Sequence, residues 1–72
     1  MPNRVLIYTH PECTYSAALK DDLNTAGTKY EEVDLALHPE AWAEVEQFTG
    51  GDRITPVMLE DGKVTVGYYG VG

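Results

Sequence analysis

The sequence predicts an α/β domain in which a mixed four-stranded sheet carries a helix on each face. Three observations lead there. The run Arg4-Val5-Leu6-Ile7-Tyr8-Thr9 is apolar through its centre and is stopped by His10-Pro11, as suits a fully buried strand. Two later stretches, 14 to 26 and 39 to 48, repeat apolar side chains at helical spacing. Asp61-Gly62 then divides two apolar runs, a strong hairpin signal.

In the first helical stretch Tyr15, Ala18, Leu19, Leu23 and Ala26 share one face, with Lys20, Asp21 and Asp22 placed elsewhere. Gly27 supplies a C-terminal stop. Residues 28–34 alternate loosely and read as a second strand. Pro39 stands where a first helical turn accepts proline. Ala41, Trp42, Val45 and Phe48 follow at helical spacing until Gly50-Gly51 ends the helix. Pro56-Val57-Met58-Leu59 and Val64-Thr65-Val66 flank the turn stretch 60–63. The order is strand, helix, strand, helix, strand, strand. A strand–helix–strand unit favours a parallel pair with a right-handed crossover, and the hairpin adds antiparallel strands.

The 72 residues are read as one domain, 1–72. A chain this short buries only about 60% of its unfolded surface. Its single cysteine cannot form an internal disulfide, and two histidines with one cysteine far apart do not have zinc-site spacing, so no metal is expected. Five basic against twelve acidic residues give a net charge of −7. That disfavours nucleic acid, which needs a basic stripe, and anionic membrane surfaces equally. No apolar run approaches the roughly 20 residues of a membrane span, and no signal-peptide layout is seen. One unpaired cysteine without a targeting segment points to a reducing, cytoplasmic setting.

Cys13 lies between the first strand and the first helix, at the strand's C-terminal end, where open α/β sheets place their sites. Unpaired N–H groups and a partial positive charge at a helix start both favour a thiolate. Polar Glu12 and Thr14 beside it, and the turn at Pro11, argue against an inert core cysteine. Ser16 stands three residues on; it cannot resolve a mixed disulfide as a second cysteine would, but its hydroxyl and N–H can donate to a thiolate. An ordinary first-turn residue would look the same. Thr55-Pro56 opens the third strand, where proline sits at a strand start or edge, with its isomer open. Trp42 and Phe48 read as core. His10 and His38 read as loop residues, although His10 is close enough in sequence to act on Cys13 as a cation.

Together these residues resemble the glutaredoxin family. Tyr8-Thr9-His10-Pro11-Glu12-Cys13-Thr14-Tyr15-Ser16 is similar to its strand and active-site loop. Thr49-Gly50-Gly51-Asp52-Arg53-Ile54-Thr55-Pro56-Val57 resembles the segment leading into its cis-proline strand. Asp61-Gly62-Lys63 with Val66-Gly67-Tyr68 resembles its last hairpin and the glycine turn beyond. Short glutaredoxin-like proteins of the UXX-star type, in which selenocysteine often takes the place of Cys13, are the nearest resemblance. It implies a thioredoxin-like fold and a glutathione-dependent thiol–disulfide oxidoreductase. Cys13 would be the nucleophile, assisted by Ser16. Thr55, before Pro56, would bond the cysteinyl part of glutathione, and Arg53 would face the glycine carboxylate. Tyr15 would pack beside the thiol, and Gly67 would let the backbone approach the γ-glutamyl end. The chain departs from the family at three points. No lysine precedes the cysteine, Tyr68 and Tyr69 replace an acidic pair, and the family's C-terminal helix is absent, since the chain stops at Gly72. The motif also differs from the Cys-Gly-Phe-Ser form of iron–sulfur glutaredoxins.

The expected partners are glutathione or another low-molecular-weight thiol and a disulfide-bearing protein. The missing helix leads us to expect apolar surface on one sheet face, and hence weak self-association or a docking partner. Two other readings stay open: a [2Fe–2S] carrier, with Cys13 from two chains and two glutathiones, and a non-enzymatic docking module or redox sensor.

Overall fold

A computed structural model describes residues 5–68; the expectations about Arg4, about Tyr69 and about the chain end lie outside them. Strand β1 spans Val5–Thr9 and helix α1 Thr14–Thr25. Strand β2 is Glu31–Asp34. A single 3₁₀ turn, Pro39–Ala41, leads into helix α2, Trp42–Thr49. Strands β3 and β4 are Val57–Glu60 and Lys63–Val66. The sheet order is β2-β1-β3-β4. β1 pairs parallel with β2 and antiparallel with β3, and β3 pairs antiparallel with β4. This is the mixed sheet that the order of elements predicts.

Three boundaries differ from the sequence expectation, each for a hydrogen-bonding reason. The second strand starts at Glu31, not at 28, because Thr28 belongs to the cap of α1. Its N–H donates to the Leu23 carbonyl at 2.9 Å, and that of Gly27 donates to Asn24 at 3.1 Å. This double bond pattern requires the left-handed Gly27, at φ +71°. The third strand starts after Pro56, whose ring nitrogen has no ladder donor. The hairpin loop is only Asp61-Gly62, since Glu60 and Lys63 already pair. Both loop residues have positive φ (49° and 83°), as a two-residue type I′ turn demands.

Alternation along β1 divides its side chains between two layers. Tyr8 joins Leu35, Val45 and Val57 in a core under α2, with Leu6, Val33, Ala41, Trp42, Phe48 and Leu59 around it. The Tyr8 and Phe48 rings stack at 6.0 Å. The Tyr8 hydroxyl donates to Glu44 of α2 at 2.6 Å. Burial, then the bond to and charge of Glu44, push Tyr8 up to about 12. On the opposite face lie Val5, Ile7 and Thr9, all buried.

On that opposite face α1 leaves part of β3 and β4 uncovered. A groove of about 580 Å³ runs there, lined by Leu19, Leu23, Ala26, Met58 and Thr65 with Asp22 and Tyr68 at its edge. The helical pattern set Asp22 apart from this face. The structure places it on the groove, where Tyr68 donates its hydroxyl to the Asp22 carboxylate.

Two outcomes follow from this packing. Leu35 is 1% exposed and Leu37 75%. In urea unfolding, Leu35→Ala should cost about 2–5 kcal/mol, whereas Leu37→Ala should stay within about 0.5 kcal/mol. The Tyr8 pKa is raised in the fold, so its contribution is complete below the unfolded value and is lost as pH rises toward about 12. Unfolding curves across that alkaline window should show stability falling, and Tyr8→Phe should remove that part of the fall.

Candidate active site at Cys13

The end of β1 and the start of β3 lie side by side because Tyr8 pairs with Val57. The chain leaving β1 turns at Pro11 and enters α1 with Cys13 as its N-cap residue, in extended conformation (φ −93°, ψ 111°). The loop is closed by the Cys13 N–H donating to the His10 carbonyl at 3.0 Å. Across from it the Thr55–Pro56 peptide is cis. The Cys13 thiol donates to the Thr55 carbonyl at 3.4 Å, across 42 positions of sequence.

Ser16, one turn along α1, is 1% exposed. Its Oγ accepts the His10 N–H at 3.3 Å, which leaves the hydroxyl proton for another acceptor. Partial burial pushes the Cys13 thiol up. The Ser16 hydroxyl, the Thr55 side chain and the N–H groups of Ser16 and Tyr15 act against it, and the net shift is downward. Once the proton leaves, the bond to the Thr55 carbonyl is lost, and these donors hold the charge.

Cys13, Ser16 and Thr55 are thus in direct contact, and Pro56 and Gly67 adjoin them. The Gly67 N–H donates to the Pro56 carbonyl at 2.7 Å, and Gly67 has φ +81°, a conformation that favours glycine. Tyr15 turns outward, 41% exposed, and its ring stacks on Tyr68 at 6.5 Å. Arg53 lies two residues before Thr55. Its guanidinium sits 5.2 Å over the Trp42 ring, and its Nε donates to Glu46 at 3.3 Å.

His10 shapes the loop. Its Nδ1 accepts the Glu12 N–H at 3.1 Å, and its ring lies 6.2 Å from that of Trp42. His38 pairs with Glu40 in the turn before α2. The sequence pattern favours a core role for Trp42 over a binding platform. Trp42 does pack in the core, but its ring also seats Arg53. The signal available was the spacing of Trp42 and Glu46, one helical turn apart, followed by a cation seven residues later.

Among the described residues no group of three or more His, Cys, Asp or Glu is arranged to hold a metal ion, and no helix is long and apolar enough to cross a membrane.

Comparison with known proteins gives a consistent result. The family model described as glutaredoxin matches residues 5–65. A glutaredoxin of Neisseria meningitidis serogroup B is 34% identical over 66 residues, which is 90% of this chain and 75% of that protein. The solution structure of a glutaredoxin from Brucella melitensis superposes with a TM-score of 0.72 at 31% identity, over 89% of this chain and 68% of that one. NrdH-redoxin from Escherichia coli, described as a glutaredoxin-like protein with a thioredoxin-like activity profile, gives 0.75 at 29% identity, over 90% and 83%. The β-α-β-α-β-β arrangement is therefore thioredoxin-like, and the chain belongs to the glutaredoxin family of thiol oxidoreductases.

Proposed function

We propose that this chain is a glutathione-dependent thiol–disulfide oxidoreductase acting by a monothiol route through Cys13. The observation that carries the reading is the set of donors around Cys13: the Ser16 hydroxyl, the Thr55 side chain and two helix-start N–H groups, with a net lowering of the thiol pKa. A lowered pKa raises the thiolate fraction at neutral pH, and the thiolate is the nucleophile. It also makes Cys13 a better leaving group in the return step.

The Cys13 thiolate attacks the glutathione sulfur of a mixed disulfide. The Cys13–glutathione disulfide forms as the old S–S bond breaks, and the substrate leaves as its thiolate and is thereby reduced. Because Ser16 stands where a resolving cysteine would be, no internal step follows. A second glutathione thiolate attacks the bound glutathionyl sulfur, releasing oxidised glutathione and regenerating the Cys13 thiolate. One reduced glutathione is consumed per mixed disulfide: its sulfur is oxidised as the substrate sulfur is reduced, and the substrate thiolate takes its proton from water.

In this reading Thr55 aligns the cysteinyl backbone, and the carboxylate end lies toward Arg53. The γ-glutamyl end passes over Gly67 beside Tyr15 and Tyr68. The cytoplasm, with its reducing pool of thiols, is the setting this chemistry needs.

Intact-mass measurement tests the reading. Reduced protein mixed with oxidised glutathione at neutral pH should gain one glutathione on Cys13, and added reduced glutathione should clear it. Cys13→Ser should gain none and lose all deglutathionylation activity. An adduct that forms only at high pH, or activity that survives in Cys13→Ser, would reject the proposal.

A further inference from the structure

Arg53 is held by two neighbours that differ in character. The Trp42 face supports its guanidinium at 5.2 Å, and the Glu46 carboxylate takes its Nε–H at 3.3 Å. Trp42 and Glu46 are one turn apart on α2, so they present themselves to Arg53 together. Trp42 is also tied to the loop that carries Cys13, through the His10 ring.

Helix stability does not account for Glu46. It lies in the last turn of α2, where the helix end carries partial negative charge and no basic residue stands in that turn. Cations are also scarce: five in the whole chain against twelve acids, with Lys20 already paired to Glu32. A carboxylate arriving at Arg53 therefore meets a guanidinium that is already partly neutralised, and it meets the charge of Glu46 itself.

We propose that Glu46 is a specificity-determining residue: its carboxylate competes for Arg53 with the carboxylate of the incoming thiol, and so lowers the affinity of the site for glutathione relative to thiols without a carboxylate. This rests on the glutathione reading above and refines it. The Trp42 contact does not depend on Glu46, so neutralising Glu46 frees Arg53 without unseating it.

The test is calorimetric binding of S-methylglutathione, a thioether that cannot exchange, to the wild-type chain, Glu46→Gln, Arg53→Ala and the double variant. At low ionic strength Glu46→Gln should bind about two- to fivefold tighter than wild type, the range of an exposed ion pair. The gain should fade in high salt and vanish in the Arg53→Ala background. Unchanged or weaker binding in Glu46→Gln, a gain that persists without Arg53, or no binding by any variant would each overturn the proposal. The thiol chemistry stands or falls separately, on the Cys13 adduct, so failure of one reading is not mistaken for failure of the other.

Discussion

The antiparallel register of β1 on β3 is the constraint from which the site follows. Pairing Tyr8 with Val57 brings the loop after β1 beside the residues before β3, and so brings Cys13 to Thr55. The next pairing, Val57 with Val66, carries Gly67 to the Pro56 carbonyl. A slip of β1 by one residue would turn Tyr8 out of the core and Ile7 into it. The core under α2 therefore fixes the register, and the register fixes the site. Parallel pairing with β2 on the other side buries β1 between neighbours and leaves its C-terminal end as the open edge of the active-site loop.

Within that frame a strongly acidic chain lowers the pKa of its Cys13 thiol. It does so with short-range dipoles: two hydroxyl-bearing side chains and the first N–H groups of α1. Fixed dipoles at contact distance act where a distant net charge of −7 is screened by water and salt. The His10 ring is used otherwise, packed on Trp42, and the cation nearest in sequence to Thr55 is committed to Glu46. In the proposed function reactivity and recognition are set by different groups: Ser16 and Thr55 act on the sulfur, and the Trp42–Arg53–Glu46 cluster acts on the charge that the thiol carries.

Much of this was legible in the sequence because it is local. The Asp61-Gly62 turn, the Gly27 stop and the apolar run of β1 are punctuation that works over a few residues. Cys13 was legible because it falls between such marks, and Thr55-Pro56 because proline at a strand start has few structural uses. The errors are also physical. The strand after Gly27 was read too long because the cap of α1 reaches to Thr28, which periodicity does not register. The pattern places Asp22 off the apolar face, and it is exposed, but periodicity does not register the hydroxyl that Tyr68 donates to it from 46 residues away. The pattern favours core over a binding platform for Trp42 because its second role depends on Arg53, which only the fold brings over its ring.

At the centre stands the lowering of the Cys13 thiol pKa by Ser16 and Thr55. Its most direct test is the pH titration of the thiolate ultraviolet absorbance in the folded chain, with the same titration in Ser16→Ala. The midpoint should lie below that of an ordinary cysteine thiol and move upward when the Ser16 hydroxyl is removed. A midpoint at or above the ordinary value, or one indifferent to Ser16→Ala, would contradict it.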